Sequence, residues 1–189
     1  MKATIGAKVF MTGLLQAGGR YSAPKTIGKL MTVSQSTETA TASLHADDRE
    51  VDSISEFTRG TISIGTAMLD DVDHAMLLGH TFTATTGITF NAGDEAPFVG
   101  VGYYAKARDV NADPVKTVYV SKFYPKVKFK EPNDEAKTKG DSIEYSTPTI
   151  EGAVLTLENG DWKRQRVFDT ESAALAWLNS CFTQTGGGS

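Results

Sequence analysis

The sequence predicts a mainly β fold of the α+β class, a sandwich or barrel with one short flanking helix and one C-terminal helix. Three observations predict it. Apolar and polar residues alternate with a period of two over much of the chain. Gly, Asn, Asp and Pro clusters cut that pattern into strand-sized pieces. Only two segments carry apolar residues at helical spacing.

Residues 3–10 and 26–33 are the first strand candidates, separated by Gly18-Gly19. Residues 34–43 (SQSTETATAS) hold no large apolar side chain, and the acidic Asp47-Asp48-Arg49-Glu50-Val51-Asp52 follows them. Together residues 34–52 form a long polar loop or hairpin extension, too long for a passive turn. Thr61-Ile62-Ser63-Ile64 then alternates, with Ile62 and Ile64 on one face. In residues 69–80, Val72, Ala75, Met76 and Gly79 recur at helical spacing, with Asp70 or Asp71 to start the helix and Gly79 to end it.

Residues 81–90, 98–108, 115–123 and 126–130 are further strands. The last places Lys126, Lys128 and Lys130 on one face and Val127 and Phe129 on the other. Residues 131–141 read as a second polar loop. Ala153, Leu155 and Leu157 share a face of residues 151–158, and Asn159-Gly160 closes a hairpin into residues 162–168. In residues 169–182, Thr170 or Ser172 caps a helix whose apolar stripe is Ala174, Leu175, Leu178, Cys181 and Phe182. Residues 1–185 are expected to form one domain, and 186–189 a flexible tail or expression remnant.

Composition narrows the function. The 189 residues carry a formal net charge of −4 from 19 basic and 23 acidic side chains. That argues against a protein built to grip nucleic acid through its phosphates. One cysteine, Cys181, excludes an internal disulfide framework. No apolar run reaches membrane-spanning length and no signal peptide is expected, so no membrane anchor is expected and the cytoplasm is the default compartment.

The search for chemistry comes back empty. Gly100-Val101-Gly102 lies inside a strand, where glycine marks a bulge or a close approach rather than a phosphate loop. His74 and His80 are six apart, not the three or four that put two ligands on one helical face. The acidic run at 47–52 lacks the glycine and terminal Glu of a calcium loop. Cys181 falls on an apolar stripe, as a buried hydrophobe. Lys116, Lys122, Lys126, Lys128 and Lys130 concentrate positive charge without interleaved exposed aromatics, so a solvated or subunit-facing surface is expected. No catalytic, cofactor-binding or metal-binding residue is assigned.

Several blocks nevertheless resemble a family. Leu44-His45-Ala46-Asp47-Asp48, Leu77-Leu78-Gly79-His80-Thr81, Ala96-Pro97-Phe98-Val99-Gly100-Val101-Gly102-Tyr103 and residues 138–152 are similar, in order and spacing, to the major tail proteins of long-tailed bacteriophages. The resemblance covers roughly residues 5 to 168. It implies a structural virion protein, not an enzyme, with no cofactor. Such a protein assembles in the bacterial host into stacked six-membered rings, a tail tube around a tape-measure protein. Tail-tip and terminator proteins are its other partners, and DNA passes through without specific binding. Thr37, Glu38, Thr39, Leu44, Asp47, Asp48 and Val51 become candidate contacts between rings. The alternative is a β-sandwich that binds carbohydrate or a host surface, recruiting Tyr103, Tyr104, Tyr119 and Tyr124.

Overall fold

A computed structural model describes residues 2–46, 49–133 and 147–183. In chain order they form β1 (Lys2–Leu14), β2 (Lys25–Thr26), β3 (Leu30–Ala46), β4 (Arg49–Thr66), α1 (Asp71–Leu78), β5 (Thr81–Thr83), β6 (Gly87–Thr89), β7 (Phe98–Asp109), β8 (Lys116–Lys130), β9 (Thr149–Val154), β10 (Arg164–Phe168) and α2 (Glu171–Thr183). The main sheet is antiparallel in the order β2-β1-β7-β8-β9-β4-β3, with β10 also on β8. Phe10 of β1 and Ile62 and Ile64 of β4 meet in one core, so the sheet curls into a sandwich-like arrangement. Leu77 and Leu78 of α1 close that core. On the other face α2 packs Ala174, Leu178, Cys181 and Phe182 against Met11, Tyr104 and Phe123.

β8 organises the molecule. One edge pairs with β7 along most of its length. The other edge takes β10 at Tyr119–Phe123 and β9 at Val127–Lys130, end to end. The expected hairpin over residues 157–162 therefore keeps its turn but not its pairing. The Leu157 N–H donates to the Asp161 carbonyl (2.8 Å) and Gly160 has φ 85°, while the flanking strands part along β8. Residues 115–123 and 126–130 are one strand rather than two. Pro125 is accommodated at a register shift, where Val99 faces Val127 but Val101 faces Tyr124. The extra residue reverses the side-chain parity. Phe123 before it faces α2, whereas Val127 and Phe129 beyond it face the sheet core.

Gly100 lies at this bulge, as the strand glycines led us to expect. A Cβ there would sit 2.7 Å from the Tyr21 ring. That ring is pinned by its hydroxyl donating to the Pro125 carbonyl (2.7 Å) and by edge contacts with Phe123 and Phe182.

Other elements depart from expectation. Residues 26–33 break between β2 and β3, and residues 81–90 fold as the small β5–β6 hairpin. In β9 the buried face is Ile150, Gly152 and Val154, one residue out of step with Ala153, Leu155 and Leu157. Helix α1 ends as read, with Gly79 left-handed (φ 79°) and its N–H donating to the Ala75 carbonyl. Its buried set is Asp73, Ala75, Leu77 and Leu78, and Val72 is exposed. The Asp70 side chain makes no capping bond. In α2 the stripe holds except for Leu175, which is exposed, and the Ala173 N–H reaches Thr170 Oγ1 (3.3 Å) as an N-cap.

Candidate functional site

Of the expected loop or hairpin extension, residues 34–46 and 49–52 lie on paired strands, the hairpin form. β3 and β4 pair continuously from Leu30–Thr66 to Ala46–Arg49. The next strand, β9, reaches only Gly60–Gly65 of β4. From Glu38–Arg59 outward the hairpin is thus a two-stranded ribbon, about 30 Å long at roughly 3.3 Å per residue. Its Thr residues favour the pleat even though residues 38–43 and 53–56 are exposed on both faces. Residues 36–43 and 53–56 are exposed, including Ile54. At the root Phe57 stacks on Trp162, with ring centroids 4.3 Å apart and planes within 6°.

Of the expected contact residues, Thr37, Glu38 and Thr39 lie on the exposed ribbon. Glu38 accepts from Arg59 Nε (2.7 Å), an exposed pair of small worth. Leu44 pairs with Asp52, and Val51 is the unopposed residue at the bulge beside it. Asp47 and Asp48 lie outside the described residues, as does most of the second polar loop.

The sheet leaves backbone edges open. No strand among the described residues pairs the outer edge of β3. β1 meets β2 only at Met11 and Thr12, so the outer edge of Lys2–Val9 is also without a strand. Ile5 beside that edge is 60% exposed. Such edges template pairing with another chain.

The lysine strand divides as the alternation implied: Val127 and Phe129 are buried, while Lys126, Lys128 and Lys130 face outward. Its charge is partly matched. Lys126 and Lys128 lie 4.7 and 5.4 Å from the Phe98 ring centroid, Lys128 pairs with Glu95 (2.8 Å), and Lys130 pairs with Glu151.

One cluster was not foreseen. His80, just past α1, has Nδ1 2.7 Å from Asp94 and Nε2 2.9 Å from Glu131. Both contacts are satisfied at once when the imidazole is protonated. The two carboxylates, Asp94 first, hold the His80 pKa above its usual value, and His80 holds Asp94 below its own. His74 Nε2 lies 3.3 Å from the other oxygen of Glu131, outside hydrogen-bonding geometry. Phe90 covers both rings at 4.6 and 5.9 Å. The spacing of six hid this meeting, because His80 has already left the helix. Among the described residues no set of three or more His, Cys, Asp or Glu forms a metal-holding group.

Cys181 is buried, and burial pushes its thiol up to about 11, opposite to what a nucleophile needs. Tyr103, Tyr104 and Tyr124 are buried and Tyr119 is half-buried. No helix among the described residues is long and apolar enough to cross a membrane. In comparison with known proteins, the chain matches no protein-family model and no curated protein.

Proposed function

We propose that the chain is a structural protein that works by self-association, a tail-tube subunit of the long-tailed phage kind. In this reading copies join into six-membered rings, and the rings stack into a tube in the virion tail, assembled in the host cytoplasm. The tube surrounds a tape-measure protein, ends on tip and terminator proteins, and passes DNA. One observation carries the reading: a curled sheet with open edges at β1 and β3 that also extends a wet ribbon of about 30 Å. A two-stranded ribbon of that length is marginal alone and gains stability from a partner. Open edges supply backbone hydrogen bonds between copies without needing a specific side-chain motif. Ring number and the virion setting come from the resemblance.

Sedimentation velocity over a wide concentration range tests the reading. The expected result is cooperative growth from subunit to large assemblies, with no metal or cofactor added. A strictly monomeric chain at high concentration that instead binds a glycan array would replace the reading with the surface-binding alternative.

A further inference from the structure

We propose that Lys122 and Lys163 form a receptor for carboxylates of a second copy, supplied by the acidic residues 47–52 at the end of its β3–β4 ribbon. The inference rests on the self-assembly reading above.

Lys122 sits between Tyr103 of β7 and Gln165 of β10 in the sheet register. Lys163 precedes Arg164, the partner of Phe123, and so falls beside Tyr124. The Lys122 ammonium lies 5.7 Å from the centre of the Tyr103 ring. The Lys163 ammonium lies 5.8 Å from the centre of Tyr124 and 5.7 Å from that of Trp162. The two tyrosine rings stack at 6.3 Å and 16°. Two cations thus share one aromatic floor.

Neither lysine has a carboxylate within ion-pair distance among the described residues; Lys29, Lys106 and Lys126 lack one too, but only Lys122 and Lys163 share one pair of stacked rings, whereas Lys8, Lys25, Lys116, Lys128 and Lys130 each have a carboxylate. Both lysines are half-buried. Burial first, and Lys122 second, hold the Lys163 pKa below the usual lysine value. A carboxylate placed between the two ammonium groups removes their repulsion and offsets their desolvation. The Tyr124 side chain is fully buried, yet its hydroxyl makes no hydrogen bond in the structure. Tyr103 lies near it and helps raise its pKa, electrostatically and through a hydrogen-bond contribution, although the pair falls short of full hydrogen-bonding geometry. The floor therefore holds two cations that have no carboxylate partner among the described residues.

The chain carries the complementary charge. Residues 47–52 hold four acids and one base, at the end of a ribbon that clears the sheet by about 30 Å. Charge complementarity of this kind sets the register between copies.

Carbodiimide coupling tests the contact, because it joins a carboxylate to an amine already paired with it. A mixture of unlabelled and 15N-labelled chains separates links between copies from links within one. In assembled protein, Lys122 or Lys163 is expected to link to an acid of residues 47–52 across differently labelled copies, and the link is expected to be absent from dilute subunit. Lys122→Glu with Lys163→Glu is expected to raise the concentration for half-assembly by about tenfold or more, with the circular dichroism unchanged. Adding Asp47→Lys and Asp48→Lys to that chain is expected to recover assembly. Links from these lysines only to residues 134–146 of the same chain, or to other surfaces, would overturn the proposal. So would assembly of the folded double variant at the wild-type concentration. If the intact chain never associates, the self-assembly reading falls with it; if the chain assembles without these links, only this contact falls.

Discussion

Gly100 shows how one residue fixes a junction. It stands where β8 carries an extra residue around Pro125, and the Tyr21 ring occupies the space a side chain would need. Because the ring is held by a hydrogen bond and two aromatic contacts, it has little room to move. Gly100→Ala is expected to cost about 1–3 kcal/mol, read as a lower urea midpoint with an unchanged slope. Its presence in a bulged strand was legible, since glycine inside alternation signals a bulge. Its partner was not, because Tyr21 lies far away in sequence. His80 was likewise illegible: its two carboxylates are 14 and 51 residues distant. Its folded pKa is raised, so the stability it contributes is complete below the unfolded value near 6.5 and is lost as pH rises through the folded value. Asp94 is lowered, so its contribution is present above its unfolded value near 3.8 and is lost as pH falls through the folded value. These are one interaction seen from both ends. Stability is therefore expected to fall as the pH is raised from about 6.5 through the folded His80 value, and His80→Gln is expected to flatten that fall. A wild-type urea midpoint that does not change across this range would contradict the assignment.

At the scale of elements, the ribbon is the clearest case of a feature legible in outline, as a polar loop or hairpin extension, with the choice between the two left to the structure. Residues 36–43 lack apolar alternation because they are exposed on both faces of the strand, so the usual sign of a strand is missing. Thr at 37, 39 and 41 was the signal available, through its preference for extended backbone. Strands with one buried face, such as Ile62–Ile64 and Val127–Phe129, were legible for the converse reason. The β9 register slipped by one because Gly152 lies on the buried face, where a small residue leaves no apolar mark. The ribbon lends itself to a clean cut. Beyond Glu38–Arg59 it pairs with nothing else in the sheet. Replacing residues 41–55 by an Asn-Gly turn is expected to leave the melting temperature within a few degrees of wild type, because no core residue is lost. The same variant is expected to form no long assemblies. A shortened chain that melts far lower would show the ribbon stabilising the fold itself.

For the whole molecule, the account joins a topological fact to a charge pattern. The curled sheet buries an apolar core within one chain, yet among the described residues no strand covers the outer edge of β3 or of Lys2–Val9 in β1. A net acidic chain suits a conduit that DNA must leave without binding, since each phosphate contact adds salt-dependent affinity. The acidic excess lies before residue 96, and the lysines of β8 are partly matched by Glu95 and Glu151. Assembly is therefore expected to persist at moderate salt, while a channel wall ringed by Lys126, Lys128 and Lys130 would contradict the proposed conduit. Electron microscopy of the concentrated, purified chain distinguishes a tube-forming subunit from an isolated one. Hollow tubes are expected, with end views that average to six-membered rings, formed without added metal, cofactor or enzyme substrate. Isolated particles of subunit size at every concentration, with intact secondary structure, would contradict the tail-tube reading.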